Sequence, residues 1–294
     1  MTVAVAWIRT IRDCEELVFV TDSRLSGDGR NFDACPKIMT LPRTDCAIAF
    51  AGYTGHAFPM MEQLSLAIES YRPLQLGSLN LFSLKSHALK IFDSMSELIV
   101  SSPLLSSNGD TGPEANFIFG GYSWIKKRFE IWTITYKASE RRFVAHAAQW
   151  LCHLTDVHKL VIRRNRESPK ATVIGKIAFA GDQAFEAKRL LFAKLYPNTN
   201  SKVPNKFDME PFEVVRDMLR DPGHSETIGG SPQIVKVYQY MKAGSLGLYW
   251  PDKASGVVHL QGRPCLGYER VDRWILDPDG LSSERPTYDA VPVE

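Results

Sequence analysis

Short apolar runs separated by charged or glycine-rich turns dominate the first fifty residues. Val3 to Arg9 reads as a strand, Thr10 to Glu16 is polar and charged, and Leu17 to Thr21 reads as a second strand that closes a hairpin. Ser26-Gly27-Asp28-Gly29-Arg30-Asn31 predicts a solvent-exposed turn. Pro36 to Leu41 resumes an extended pattern. Cys46 to Ala51 carries no charge and runs straight into Gly52, which predicts a strand buried on both faces.

The period then changes. Met60, Leu64, Ile68 and Tyr71 recur every three or four residues, with Pro59 tolerated in the first turn, and Leu84, Ala88, Ile91, Met95 and Leu98 repeat the pattern, so two helices are expected. Asn116 to Gly121 and Phe129 to Tyr136 predict a strand pair joined by the basic turn Lys126-Lys127-Arg128. Strands over Arg142 to His146 and Val173 to Ala180 precede a helix from about Asp182 to Leu195 and a shorter one near Pro211 to Leu219. Ser101 to Glu114 and Pro197 to Asn205 read as surface loops. Beyond Pro251 only short strand-like patches remain, over Gly256 to Gly262 and Cys265 to Ile275. The expected organisation is one large domain over residues 1–250 and an extension over 251–294 packed on it.

Composition narrows the function classes. With 294 residues, 44 % of them hydrophobic, the chain can bury a substantial core. A formal net charge of +2 gives no bulk electrostatic case for nucleic acid, and the local basic run at Arg163, Arg164 and Arg166 lacks interleaved aromatics and reads as a solvated loop. Cys14, Cys35, Cys46, Cys152 and Cys265 are odd in number and form no CxxC pair, which points to reduced thiols in the cytoplasm. No secretory signal and no membrane-spanning run is expected. His153 and His158 lack the spacing of a helical zinc pair, and Gly120-Gly121-Tyr122-Ser123-Trp124 lacks that of a nucleophile elbow. Neither a metal nor a cofactor is expected.

Four residues at element ends carry candidate chemistry: Thr2, Asp22, Lys37 and Gly52. Removing Met1 places a free α-amine and a hydroxyl on Thr2, and an amine with a pKa of about 8 can take the proton from its own Oγ. Each residue also has an ordinary structural explanation. Thr2 suits the start of a strand, Asp22 a strand-end turn, Lys37 a charged strand edge, and Gly52 a crowded strand-to-helix junction.

The succession Thr2-Val3-Ala4-Val5, Val20-Thr21-Asp22-Ser23-Arg24, Lys37-Ile38 and Phe50-Ala51-Gly52-Tyr53 resembles the N-terminal third of proteasome β subunits and their simpler bacterial relatives, which are N-terminal-nucleophile (Ntn) threonine peptidases. Ala178-Phe179-Ala180-Gly181-Asp182 and Thr227-Ile228-Gly229-Gly230 resemble later landmarks of that family. The resemblance implies an α+β fold, a four-layer αββα sandwich of the Ntn-hydrolase type. It also implies a threonine-type peptidase that works through an acyl-enzyme. Thr2 attacks, Lys37 stabilises the developing alkoxide and keeps the neighbouring amine's pKa low, Asp22 holds Lys37, and the Gly52 N–H donates to the oxyanion. Arg24, Asp182, Ser225 and Glu226 are candidate supporting residues. Further implications are a peptide or protein substrate, a homo-oligomer and an ATP-dependent unfoldase as partner.

The later part departs from the family pattern. Ile228 stands where a serine is expected before the glycine pair, the supporting aspartate falls near Ser225 or Glu226, and the mid-chain serine falls near Asp182 or Gln183. A catalytically inactive scaffold and an amidase for small amides therefore stay open beside the peptidase.

Overall fold

A computed structural model describes residues 2–27, 29–99, 112–164, 171–198, 202–224, 226–240 and 242–287. Ser225, Arg166 and most of the stretch read as a loop over Ser101 to Glu114 lie outside the described residues.

The first hairpin is β1 (Ala4–Ile11) and β2 (Cys14–Thr21), paired from Ala4 with Thr21 to Ile11 with Cys14. A small ribbon, β3 (Leu25–Gly27) and β4 (Arg30–Phe32), occupies the glycine-rich stretch. Next come β5 (Ile38–Thr40) and β6 (Cys46–Gly52), then α1 (Thr54–Ser70), the single turn α2 (Arg72–Gln75) and α3 (Leu81–Ser96). The middle of the chain forms β7 (Ala115–Ser123), β8 (Arg128–Lys137), β9 (Arg142–Ala147), β10 (Gln149–Leu154), β11 (Lys159–Arg163) and β12 (Ala171–Ala180). Helices α4 (Ala184–Leu195) and α5 (Glu210–Arg220) precede β13 (Gln233–Tyr238) and β14 (Lys242–Ser245). Five short strands end the described chain: β15 (Gly247–Tyr249), β16 (Val258–Leu260), β17 (Arg263–Pro264), β18 (Ile275–Leu276) and β19 (Ser283–Glu284).

The expected α+β four-layer αββα sandwich is corrected here. The protein is mostly β, with 39 % strand against 25 % helix, and its strands are divided among several largely antiparallel sheets. One sheet has the order β11-β10-β12-β1-β2-β13-β14 and another β5-β6-β7-β8-β9, while β17-β16-β15-β18-β19 make a third from the chain's last part. Two causes account for the difference. Stretches read as loop, such as Lys159–Arg163, pair as strands, and the C-terminal patches form a sheet of their own, which starts at Gly247 ahead of Pro251.

Strand alternation sets the core. Along β1, Val5 and Trp7 pack with Leu191, Phe212 and Val215 of α4 and α5, while Ala4 and Ala6 face Ala47, Ala49 and Ile118 of the five-stranded sheet. The outer face of that second sheet, with Phe50 and Phe117, packs on Met60, Leu64, Leu84 and Phe92 of α1 and α3. Each such large side chain contributes about 1.5–3 kcal/mol by leaving water. In α3 the buried position is Phe92, not the expected Ile91, and Leu98 falls past the helix and is exposed. The two larger sheets meet through small residues near the Thr2 end: Ala4, Ala49, Ala51, Ala178 and Ala180. Among the described residues no helix is long and apolar enough to cross a membrane.

Candidate active site

Thr2 lies just ahead of β1, between the ends of β2 and β12, because Ala4 pairs with both Thr21 and Ala180. Its carbonyl accepts the Gln183 N–H at 3.3 Å, and Gly181 crosses so close that a Cβ there would overlap the same oxygen. Gly181 has φ +99°, so both the space and the backbone angle call for glycine. Val3 donates its N–H to Asp22 Oδ1 at 3.2 Å, and the Asp22 N–H returns to the Val3 carbonyl at 3.3 Å. The segment carrying the threonine is thus fixed on both sides.

Asp22 and Lys37 are wholly buried, each 0 % exposed, and Thr2 is 2 % exposed. The Lys37 Nζ donates to Asp22 Oδ1 at 2.9 Å, to Oδ2 at 3.0 Å and to Thr2 Oγ1 at 3.0 Å. Three acceptors therefore surround a group with three N–H donors. Asp22 Oδ2 also accepts the Arg24 N–H at 3.1 Å. Burial pushes the Asp22 carboxyl up from its ordinary range, and the Lys37 ammonium with the Val3 and Arg24 amides pulls it back. Such a pair is tolerable in the interior because nearly every lone pair and proton has a partner.

The chemistry of the groups also fixes the direction of the Lys37–Thr2 hydrogen bond. An ammonium has no acceptor, so Thr2 Oγ must accept from Lys37, and the hydroxyl proton has to be given to another group. The Thr2 nitrogen belongs to the same residue, and it already touches Asp182, donating to Oδ1 at 2.5 Å. Asp182 itself is exposed, at the mouth of the site.

Gly52 ends β6 opposite Ala115, with φ +110° and no room for a Cβ beside the Glu114 carbonyl. It is exposed, and the preceding Ala51 lies against Gly181, which brings the end of β6 to the Thr2 segment. The Arg24 side chain forms a two-point pair with Asp33, both contacts 2.6 Å, and it also donates to the Ile228 carbonyl at 3.3 Å. To the site it brings its backbone N–H on Asp22 and a guanidinium charge that interacts with the Asp22 carboxylate. Glu226 stands exposed after α5 and takes no part in this hydrogen-bond network.

Gln233 was not singled out by the sequence. It is 1 % exposed; its Oε1 accepts the Lys37 backbone N–H at 2.8 Å, and its Nε2 donates to the carbonyls of Cys35 and Gln261. The signal was available, because Gln233 shares the inward face of β13 with Val235 and Val237, and a glutamine on an apolar face needs partners. Gln261 sits at the tip between β16 and β17, so the C-terminal sheet reaches the backbone of the buried lysine. Cys35 is held in the same corner, where burial pushes its thiol up against the opposing pull of Lys37.

No known family model and no curated protein matches this chain. Among the described residues, no group of three histidine, cysteine or acidic side chains is placed to hold a metal ion.

Proposed function

We propose that this protein is an Ntn hydrolase of proteasome-like type that cleaves peptide bonds with Thr2 as nucleophile, once Thr2 is the first residue of the mature chain. The observation that carries this reading is the 3.0 Å contact from the Lys37 Nζ to Thr2 Oγ1, in a buried cluster where the ammonium is fixed by Asp22. With the preceding residue removed, the α-amine takes the Oγ proton and Oγ attacks the substrate carbonyl carbon. Lys37 stabilises the developing charge on Oγ, and the Gly52 N–H is the donor proposed for the oxyanion. The C–N bond then breaks, the amine's proton goes to the leaving nitrogen, and water hydrolyses the threonine ester to regenerate the site.

Asp182 holds the amine by the contact it already makes to the Thr2 nitrogen. This carboxylate favours the protonated amine, whereas Lys37 disfavours it, so the two charges set the pH at which the base becomes available. A peptidase with a general N-terminal nucleophile needs sequestration from other proteins, and a closed homo-oligomer fed by an ATP-dependent unfoldase completes the proposal. The five cysteines are free thiols, which suits a cytoplasmic setting.

The test is the intact mass of the purified protein and of Thr2→Ala, each treated with a peptidyl epoxyketone, a warhead that needs both the hydroxyl and the α-amine of one residue. Loss of Met1 and an adduct confined to the parent protein are expected. Retained Met1 without an adduct would replace the peptidase by the inactive scaffold.

A further inference from the structure

The seven-stranded sheet has an incomplete edge beside Thr2. β10 pairs with β12 from Leu154 opposite Ala171 to Gln149 opposite Ile177, and there it stops. Just before Gln149 the chain passes to the other sheet, where the Ala148 N–H bonds the Ile131 carbonyl and Ala147 pairs with Trp132. Ala178, Phe179 and Ala180 therefore pair with β1 on one side only; among the described residues no strand covers the other. Alternate residues of a strand direct their N–H and C=O to opposite sides, so this stretch presents backbone donors and acceptors to its open side.

A groove of about 740 Å³ follows that edge. Its apolar part includes Ala178, Phe179 and Phe185, and the ring of Phe185 is 78 % exposed. Its charged part is one-signed: Arg164 and Lys188 line it, and no aspartate or glutamate does among the described residues. The edge itself ends beside the Thr2 segment, because Ala180 pairs with Ala4, and Ala184 and Phe185 of the groove wall follow Asp182, the contact of the Thr2 nitrogen, in the chain.

We infer that this groove binds one side of the substrate as an extended peptide that adds a short strand to Ala178–Ala180 and carries a carboxylate toward Arg164 and Lys188. An open strand edge supplies main-chain affinity to any sequence, and the flanking cations select for the acid. This inference rests on the proposed peptidase reading for its purpose, though not for its detection.

The experiment uses the full chain with Thr2→Ala, so that binding is read without turnover, and fluorescence anisotropy of labelled, acetylated and amidated Ala-Val-Glu-Ala, with glutamine and lysine analogues at the third position. A glutamine peptide with a free C-terminus separates a terminal from a side-chain carboxylate. The acidic peptides are expected to bind about tenfold tighter than the lysine peptide. Combined Arg164→Glu and Lys188→Glu, at positions outside the Thr2 cluster, should reverse the order, and N-methylating the peptide backbone should abolish binding. Equal affinity for acid and lysine overturns the inference, as does a preference that survives the charge reversal or N-methylation. Burial of this edge by a second copy of the chain, seen as dimerisation that peptide does not compete, also overturns it. Failure of epoxyketone labelling with retained acid-selective binding would instead reject only the Thr2 chemistry, so the two outcomes are separable.

Discussion

The Lys37 ammonium lies 3.0 Å from the Thr2 hydroxyl oxygen, and its other contacts run to both oxygens of a carboxylate that is itself fully buried. Under the proposed mechanism one cation serves packing and chemistry together, and the two contributions separate by mutation. Lys37→Met leaves Asp22 buried without its counter-charge and is expected to cost about 3–5 kcal/mol of stability. Adding Asp22→Asn should return much of that stability, because the uncompensated charge is gone. Epoxyketone labelling of Thr2 should stay about 100- to 1000-fold slower in both, since the stabilising charge is absent from each. Urea midpoints set beside labelling rates check this; recovery of rate along with stability would refute a chemical role for Lys37.

In the proposed mechanism Asp182 controls the base. Its contact with the Thr2 nitrogen favours the charged amine, which cannot accept the Oγ proton. Labelling should therefore rise with pH through an apparent pKa near 8 in the parent protein. Asp182→Asn should move the rise to lower pH by about one unit, while the plateau at high pH keeps its order of magnitude. A profile that falls in height without moving along the pH axis would make Asp182 a purely structural contact.

Gln233 is expected to be a positioning residue. Gln233→Leu keeps the bulk but abandons the Lys37 N–H and the Cys35 and Gln261 carbonyls in the interior, at about 1–3 kcal/mol for each group left unpaired. Thermal unfolding measures the loss. Labelling measured well below the transition should also slow, and Gln233→Glu, which keeps one acceptor for the Lys37 N–H, should lose less rate than Gln233→Leu.

Acid should weaken the C-terminal sheet through His259. Its Nδ1 is buried without a partner, and burial holds the imidazole below the usual 6.5. The unfolded chain then binds a proton at a higher pH than the folded one. Stability from this group is complete above about 6.5 and is lost as pH falls toward the depressed folded value. Denaturant midpoints at pH 7.5 and 5.5 should differ less in His259→Gln than in the parent.

Much of the candidate site was legible because charged and glycine residues interrupted apolar runs at element ends. Asp22 follows β2, Lys37 precedes β5 and Gly52 ends β6; each alone suits its place in the strand pattern, and their succession behind Thr2 made them stand out. Gln233 escaped notice because its role depends on Gln261 and Lys37, which only the fold brings together. The proportions of the fold were misjudged for a different reason. Strands of two or three residues, such as Arg263–Pro264 and Ile275–Leu276, are too short to show a period, and the basic Lys159–Arg163 pairs through its backbone regardless of its charges. In α3 a phenylalanine outcompeted Ile91 for the core by pointing at Phe117 and Phe143, with ring centroids 4.6 and 5.6 Å away.

The reach of Gln261 to Gln233, and through it to the backbone of Lys37, also sets a timetable. In chain order Thr2 and Lys37 come long before this brace: Lys37 and Gln233 are 196 positions apart, and the β16–β17 tip follows later still. The ammonium of Lys37 finds Asp22 earlier in the chain, but its backbone gains the Gln233 brace only after Gln233 and Gln261 have been made. For the proposed chemistry the consequence is one of order: translation supplies Thr2 well before the brace behind Lys37, so the arrangement described here is completed by folding of the later strands.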